Sequence, residues 1–517
     1  MQNELNKKIA RATKWSTITE FATKLSSPIV NIVLARLLAP EEFGVVATIM
    51  MVITFAEVFT DAGFQKYLIQ HEYKDKKELD QSTNIAFWTN FFFSALICCG
   101  IFIWRDALAA SVGNPGLGDS LSIASILIVI AAFSSIQMAR YRRALDFKTL
   151  FYSRVIGAAA PFVVTIPLAF VLRNYWALLI GTMTAQATAA IFLTIKSEWK
   201  PSFYYNWGQL REMFAFSMWT LFEALTIWLV IHVAIFIVGN HLSDYYLGLF
   251  RTSSATVVAY MSLITASVTP VLFVALSRNQ NNEKEFKKIF YLFLRVTAIF
   301  VLPLGFGIYM FSDLATYLLL GPQWMEASEF IGWLGAVIPF SILFSNFASE
   351  VYRSKGQPKI SLFVHLFHLL FLIPAIMISV RYGFRVLCAT RAALLLHLCV
   401  TALLVMRFYY KFKLLEILER LRPMIFSALT MCGVGYACLL ASRYWLGGTL
   451  ADAIDASDWH RIALHLVCQV GAVGICVATY GGVLFGCFAD VRNEALNTSY
   501  GQKIARKAQS IKAKLRA

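Results

Sequence analysis

Apolar residues occur along this chain in blocks of about 20, the length that an α-helix needs to cross the hydrocarbon core of a bilayer. Short polar segments separate the blocks. The apolar blocks lie near residues 13–38, 42–65, 83–104, 119–138, 151–172, 175–195, 212–239, 246–276, 288–311, 327–349, 360–380, 383–406, 423–442 and 462–487. The pattern predicts an all-α polytopic membrane protein with about 14 transmembrane helices.

The composition supports this class and excludes a large soluble domain. Of 517 residues, 58% are hydrophobic and 15% are charged, whereas soluble domains carry roughly 25% charged residues. The net charge of +16 would suggest nucleic acid as the partner of a soluble protein. With both termini placed in the cytoplasm, however, the cytoplasmic segments hold 35 of the 46 Lys and Arg residues and the outer segments hold seven. The positive-inside rule therefore predicts cytoplasmic termini, and nucleic acid is not expected as a partner.

A short internal repeat divides the chain. Leu-Ala-Pro-Glu-Glu-Phe-Gly at 38–44 resembles Leu-Ser-Asp-Tyr-Tyr-Leu-Gly at 242–248, an offset of 204 residues. Six spans separate the two segments, so both halves have the same orientation. This predicts two pseudo-symmetric six-helix lobes around a central cavity, followed by two extra C-terminal helices.

The predicted organisation follows from this repeat. The expected parts are an N-lobe over 1–199, a C-lobe over 200–410, spans 13 and 14 over 411–487, and a cytoplasmic tail over 488–517. The tail is basic, and an apolar edge runs along it at helical spacing. It is expected to lie as an amphipathic helix on the anionic inner leaflet.

Polar residues form a stripe along the first span. Glu20, Lys24, Ser27 and Asn31 recur at spacings of four, three and four, which places them on one face of a helix. Such a face cannot contact lipid, so it is expected to line a cavity. The competing interpretation is structural, with Glu20 neutralising Lys24 four residues away.

Two further interior cations are candidates for the same cavity. Arg251 and Ser254 begin a stripe of polar and small residues in span eight, and Arg391 lies deep in span twelve. An interior cation costs at least about 3 kcal/mol and is functional by default. Cations from both halves are what an anionic passenger such as a phosphate requires. Snorkelling toward the outer surface is the alternative for Arg251.

Four acidic residues lie in spans or at their edges: Glu57, Asp61, Glu223 and Glu350. An intramembrane carboxylate can carry a coupling proton or bind Na⁺, or it can pair with a neighbour, and the sequence leaves both interpretations open. No residue spacing indicates a metal site. Apart from a coupling H⁺ or Na⁺, no cofactor is expected.

Motifs for catalysis are absent from the sequence. The chain has no Gly-Lys dipeptide and hence no phosphate-binding P-loop, and its connecting segments are short. We therefore expect a transporter that works by alternating access and not an enzyme.

Five segments resemble one known family. They are LARLLAPEEFGVVA (34–47), DAGFQKYLIQ (61–70), RYRRALDFKTL (140–150), Leu-Pro-Leu (302–304) and LLLGPQW (318–324). Together they resemble the Wzx-type polysaccharide and O-antigen flippases of the multidrug/oligosaccharidyl-lipid/polysaccharide superfamily, in particular the branch similar to colanic acid exporters. The resemblance covers roughly residues 8–410.

The resemblance implies a flippase in the bacterial inner membrane. Such a protein moves an undecaprenyl-diphosphate-linked oligosaccharide from the cytoplasmic to the periplasmic leaflet for assembly of exopolysaccharide, capsule or the O-antigen of lipopolysaccharide. Implied partners are this glycolipid, membrane lipids, a polysaccharide polymerase and the export machinery. Related flippases carry basic cavity residues on the first and eighth helices, which here would be Lys24 and Arg251.

Two alternatives compete with the flippase interpretation. An ion-coupled antiporter of drugs or organic cations, from the same superfamily, would favour an acidic cavity, so Lys24 and Arg251 count against it. A membrane-embedded polysaccharide polymerase or ligase would be an enzyme, and it usually carries a sizeable periplasmic loop, which this chain lacks.

Overall fold

A computed structural model of the chain describes residues 23, 26–61, 64–144 and 146–488. The described part is almost entirely helical and contains no β-strand. Its α-helices, in chain order, are α1 (Ser26–Leu37), α2 (Pro40–Asp61), α3 (Phe64–Gln70), α4 (Lys76–Ile103), α5 (Arg105–Ser111), α6 (Gly118–Ala124), α7 (Ile126–Arg143), α8 (Phe147–Ala160), α9 (Ile166–Leu172), α10 (Trp176–Lys196), α11 (Trp207–His241), α12 (Asp244–Arg278), α13 (Glu283–Met310), α14 (Ser312–Leu319), α15 (Ser328–Phe340), α16 (Phe347–Ser354), α17 (Pro358–Ser379), α18 (Phe384–Phe408), α19 (Leu414–Leu446), α20 (Leu450–Asp455) and α21 (Trp459–Cys487).

Thirteen stretches among the described residues are long and apolar enough to cross a membrane. They coincide with the second to fourteenth predicted spans. Four stretches contain more than one α-helix: Pro115–Arg143, Phe147–Leu172, Pro322–Ser354 and Leu414–Asp455. The prediction of an all-α polytopic membrane protein is confirmed.

Two predicted elements extend beyond the described residues. Of the first span, the structure describes α1 and little else, because residues 1–22, 24 and 25 lie outside the described part. The predicted basic tail also lies outside it, from residue 489 onward. The total of 14 spans and the six-helix lobes therefore stay predictions.

Contacts between Cα atoms divide the chain into two compact units. Unit 1 comprises the described residues up to Ser267, together with Leu318–Phe330 and Gly356–Leu398. Unit 2 comprises Val268–Tyr317, Ile331–Lys355 and the described residues from Cys399 onward.

The basic last turn of α7 joins neighbouring helices in unit 1. Arg143 donates hydrogen bonds to the carbonyl oxygens of Leu68, Ile69 and His71, at 3.0, 3.2 and 2.6 Å. These carbonyls end α3, and the last carbonyls of a helix have no partner within it. Arg140 pairs with Asp80 at 2.5 Å. The arginines of the 140–150 segment thus have a structural role.

A second set of hydrogen bonds in unit 1 joins two segments that are far apart in sequence. Trp324 Nε1 donates to the carbonyl oxygen of Ala35 at 2.8 Å, and Gln323 donates to the same oxygen at 2.5 Å. Arg36 donates to the carbonyl oxygen of Leu318 at 3.0 Å. Ala35 is in the last turn of α1, whose carbonyls need external donors. Residues 318–324 therefore hold the end of α1 that leads into α2.

Two glycines let α2 and α12 approach each other closely in unit 1. A Cβ atom added to Gly44 would collide with the carbonyl group of Asp244, and one added to Gly248 would collide with the carbonyl group of Pro40. Gly44 and Gly248 are 204 residues apart, and so are Pro40 and Asp244. The reciprocal contact is what the offset of the sequence repeat predicts for two related elements around a two-fold axis.

Intramembrane prolines interrupt regular helix geometry. A π-helical segment, Pro161–Thr165, joins α8 to α9 in unit 1. Such segments are frequent where the hydrogen-bond ladder is disturbed, and proline disturbs it by lacking the amide proton. In unit 1 this irregular segment contributes to the wall of a cavity described below.

Unit 2 has a core made by α13, α19 and α21. Gly435 on α19 faces the Cys476 sulfur on α21 at close range. The Tyr480 hydroxyl donates to the carbonyl oxygen of Ile299 on α13 at 3.0 Å. These contacts bind the two C-terminal spans to α13.

Candidate functional site

Arg251 lines a cavity of about 550 Å³ in unit 1, which we name the Arg251 cavity. Its walls come from α1, α2, α10 and α12 and from the π-helical segment between α8 and α9, which contributes Pro161 and Thr165. Arg251 is the one lining side chain with a formal charge among the described residues. A half-buried cation in an uncharged cavity inside a membrane protein is an electrostatic site for an anion.

Uncharged polar groups lie beside this guanidinium. Asn31 of the predicted first-span stripe lines the same cavity, as do Thr252 and Gln186. Thr252 Oγ1 and Gln186 Oε1 are buried and have no hydrogen-bond partner among the described residues. Buried polar atoms are normally satisfied by protein, water or ligand. The cavity therefore offers both a cation and hydrogen-bonding groups.

A second and larger cavity adjoins the first in unit 1. It has a volume of about 750 Å³, and we name it the Glu57 cavity. Gln186 and Ala189 on α10 line both cavities. Glu57 and Arg154 are the charged residues in its wall within the described part of the chain. Glu57 Oε1 is buried and without a hydrogen-bond partner among the described residues.

An aromatic and imidazole cluster forms one wall of the Glu57 cavity. Trp228 Nε1 donates to Thr54 Oγ1 at 3.1 Å, and His232 Nε2 lies 3.4 Å from the same oxygen. The rings of Trp228 and His232 are 4.9 Å apart. Thr54 is one helical turn before Glu57 on α2, so the cluster and the carboxylate share one face of that helix.

Arg391 has a different environment from Arg251. It lies on α18, which also carries His397. His368 is buried, and its ring lies 5.8 Å from that of His397. Arg391 Nη1 is buried with no hydrogen-bond partner among the described residues. Arg391 lines neither of the two cavities.

The structure also describes three other predicted site residues, which are Ser27, Ser254 and Glu350. Ser27 is exposed, and Ser254 donates to the carbonyl oxygen of Phe250 at 2.8 Å on its own helix. Glu350, in unit 2, is buried and paired with Arg353 at 2.5 Å. Of the acidic candidates with described side chains, Glu57 is the one that lines a cavity described here.

Four predicted site residues lie wholly or partly outside the described part of the chain. Lys24 and Glu20 lie outside the described residues, and the side chains of Asp61 and Glu223 lie outside the described part as well. Their roles stay predictions.

Arg154, Gln186 and His232 are among the cavity residues that sequence reasoning missed. His232 had a usable signal, because it is an ionisable residue in the middle of an apolar span. Gln186 likewise interrupts the apolar span of α10. Arg154 lies near the start of the predicted span 151–172, and its place in the cavity wall depends on how α8 packs.

The family of this chain follows from a sequence match. A family model described as "Polysaccharide biosynthesis protein" matches residues 33–329, more than half of the chain. The chain belongs to this family. The matched region contains both glycines of the α2–α12 contact, Arg251, and every described residue that lines the two cavities apart from Val30 and Asn31.

Individual relatives agree with the family match. The chain is 21% identical to the "Succinoglycan biosynthesis transport protein ExoT" of Rhizobium meliloti, over 63% of this chain and 66% of ExoT. It is 20% identical to the "Lipopolysaccharide biosynthesis protein WzxC" of Escherichia coli, over 72% of this chain and 76% of WzxC. The match to ExoT thus spans just under two thirds of that relative. These relatives are consistent with a multi-pass bacterial membrane protein.

Solved structures share the fold. The "Lipid II flippase MurJ" in an inward closed conformation superposes with a TM-score of 0.73, at 14% identity, over 91% of this chain and 98% of MurJ. An inward-facing "multidrug resistance MATE family transporter of the MOP superfamily" gives a TM-score of 0.58 at 14% identity, over 78% of this chain and 98% of the other. The chain therefore shares its all-α fold with these two transporters.

Proposed function

We propose that this protein is a flippase for a lipid-linked oligosaccharide. It would move an undecaprenyl-diphosphate-linked oligosaccharide from the cytoplasmic to the periplasmic leaflet of the bacterial inner membrane by alternating access. The product would serve the assembly of a surface polysaccharide. A polysaccharide polymerase would then act on the same glycolipid, and this chain would itself carry out no covalent chemistry.

The Arg251 cavity is the observation that carries this proposal. A diphosphate linkage is anionic over a wide pH range, and arginine binds phosphate oxygens with paired, charge-assisted hydrogen bonds. Thr252 and Gln186 lie in the same cavity with buried polar atoms available. Inside a membrane this arrangement suits a ligand with an anionic linkage and polar sugars.

The names of the relatives support a transport role. ExoT is named as a transport protein of succinoglycan biosynthesis, WzxC as a protein of lipopolysaccharide biosynthesis, and MurJ as a flippase of lipid II. All three names point to polysaccharide biosynthesis or to a lipid-linked precursor. Export of a drug or organic cation is the weaker alternative, because the Arg251 cavity presents a cation and no described acidic group.

The proposal is tested by the leaflet distribution of the polyprenyl-linked oligosaccharide. Cells that lack the protein should accumulate the glycolipid in the cytoplasmic leaflet, where a periplasmic glycan-modifying enzyme cannot reach it. Wild-type protein should restore access, and Arg251→Ala should not. Arg385→Ala is the matched control, because Arg385 is largely exposed and paired with Glu329 at 2.9 Å.

Two results would contradict the proposal. Normal access of the glycolipid to the periplasm without this protein, in cells free of other exporters, would remove the flippase role. If Arg251→Ala fully restored access of the glycolipid to the periplasm, the protein would still be a flippase, but Arg251 would not take part in flipping.

A further inference from the structure

The hydrogen bonds around Thr54 fix the tautomer of His232. The Thr54 hydroxyl donates its single proton to the carbonyl oxygen of Met50, at 2.7 Å. The indole of Trp228 donates to the Thr54 oxygen. His232 Nε2, 3.4 Å from this oxygen, can therefore interact favourably with it only as a donor. The neutral imidazole then has its proton on Nε2.

This tautomer leaves a lone pair on His232 Nδ1. That nitrogen is buried and has no hydrogen-bond partner among the described residues. The residue lines the Glu57 cavity, from which a proton or water could reach it. A buried acceptor without a partner is unfavourable, and taking up a proton is the reaction open to an imidazole nitrogen.

The charges that surround His232 determine when it takes up that proton. Glu57 and Arg154 line the same cavity, and Arg251 on α12 lines the adjoining cavity, which shares Gln186 and Ala189 with it. The Arg251 guanidinium opposes a second positive charge at His232. An anion bound to Arg251 would remove this opposition.

The other elements that contact α11 are α3, α4, α17 and the segment Val380–Tyr382. The charged residues Glu78 and Asp80 of α4 and Arg381 do not line the Glu57 cavity. Helix α17 also packs on α11 and carries His365 and His368, whose electrostatic neighbours are Arg391 and His397. Tyr67 on α3, which contacts α11 as well, bonds to Glu212. None of these groups is a lining residue of the Glu57 cavity.

We propose that His232 is a proton-binding site whose occupancy is linked to the anionic ligand at Arg251. The inference rests on the flippase function proposed above. Binding of the lipid diphosphate would draw a proton onto His232 Nδ1, with Glu57 facing the same cavity as the counter-charge. Linkage is reciprocal, so the factor by which the bound diphosphate raises the proton affinity of His232 is also the factor by which loss of the proton weakens binding of the diphosphate. Loss of the proton therefore provides a means of release.

The chemistry of the cluster selects a proton over a metal ion. Hard cations require several oxygen ligands. Here the oxygen of Thr54 already accepts from an indole and an imidazole, and Glu57 is the one carboxylate among the described lining residues. We therefore expect replacement of Na⁺ by choline to leave ligand binding unchanged.

Isothermal titration calorimetry in buffers of different ionisation enthalpy tests the linkage. The probe is farnesyl diphosphate esterified with N-acetylglucosamine, because a doubly esterified diphosphate does not itself titrate near neutral pH. Wild-type protein in detergent should take up protons as the probe binds. His232→Gln, which retains an amide donor, should bind the probe with proton uptake reduced to near zero. His241→Gln is the matched control, because His241 contacts the backbone of Ile237 at the end of α11.

The outcomes separate this inference from the function on which it rests. Binding by the wild type without proton uptake, or with the same uptake in His232→Gln, would overturn the proton site and leave the flippase proposal intact. Uptake that is lost in Glu57→Gln and kept in His232→Gln would assign the proton to the carboxylate and overturn the role of His232. Failure of the wild type to bind the probe would count against the flippase function, and the linkage would fall with it.

Discussion

Arg251 and Arg391 are both interior arginines of unit 1, and the structure gives them different surroundings. Arg251 lines a cavity together with Asn31, Thr252 and Gln186. Arg391 lies on α18 and lines neither cavity described here. Both residues carry the same desolvation penalty in principle, at least about 3 kcal/mol. The difference shows that an intramembrane cation indicates a ligand site only when space for the ligand adjoins it.

Removal of the Arg251 guanidinium should have the largest effect. We expect Arg251→Ala to lower the flipping rate at least about tenfold, because hydrogen bonds to a charged group contribute about 1.5–3 kcal/mol each. The rate is measured in proteoliposomes with a lipid-linked oligosaccharide. A rate near that of wild type would contradict the distinction between Arg251 and Arg391, because Arg251 would then be no more than an interfacial anchor.

The position of α12, which carries Arg251, should depend on the glycine contact with α2. Gly248→Ala forces a methyl group against the Pro40 carbonyl, and we expect a loss of about 1–3 kcal/mol of stability. Gly44→Ala should behave alike, because the contact is reciprocal. Thermal unfolding in detergent measures both.

Gly307→Ala is the matched control for these two variants. Gly307 lies inside α13, and a Cβ atom there would meet open space. Alanine should leave stability unchanged or raise it by up to about 1 kcal/mol. Equal destabilisation by all three substitutions would show that the α2–α12 contact is not special.

A lysine at position 251 should have a moderate effect. Arg251→Lys keeps the charge but loses the planar fork that binds two phosphate oxygens, so we expect a rate about threefold below wild type. The same transport assay applies. A rate as low as that of Arg251→Ala would show that geometry, more than charge, determines binding.

Replacement of Arg391 should have the smallest effect on transport. Arg391→Met removes a buried charge and keeps the volume of the side chain, and such changes are often neutral or stabilising. We expect a flipping rate within about twofold of wild type, a change of less than about 1 kcal/mol. A loss as large as that of Arg251→Ala would place Arg391 in the ligand path.

The sequence predicted the spans well and the cavities poorly, for physical reasons. Membrane helices must satisfy their backbone internally and bury about 20 apolar residues, so hydropathy located the thirteen spans in the described part of the chain. Which face of a helix lines a cavity depends on its packing partners. The sequence therefore made Arg251 and Arg391 candidates for the same cavity, although only Arg251 lines one described here.

Some local patterns predicted contacts only in part. The repeat at 38–44 and 242–248 indicated related helices, but not that their glycines meet. Asn31 of the polar stripe lines a cavity, while Ser27 of the same stripe is exposed. The His232 cluster depends on Thr54, which lies 178 residues away, and no pattern in a single span shows that contact.

Flipping of a lipid-linked oligosaccharide in proteoliposomes, compared between Arg251→Ala and Arg391→Met, tests the central claim most directly. We expect Arg251→Ala to lose most of the transport rate and the rate of Arg391→Met to remain near that of wild type. Equal losses in both variants, or an active Arg251→Ala, would contradict the assignment of the Arg251 cavity as the binding site for the diphosphate.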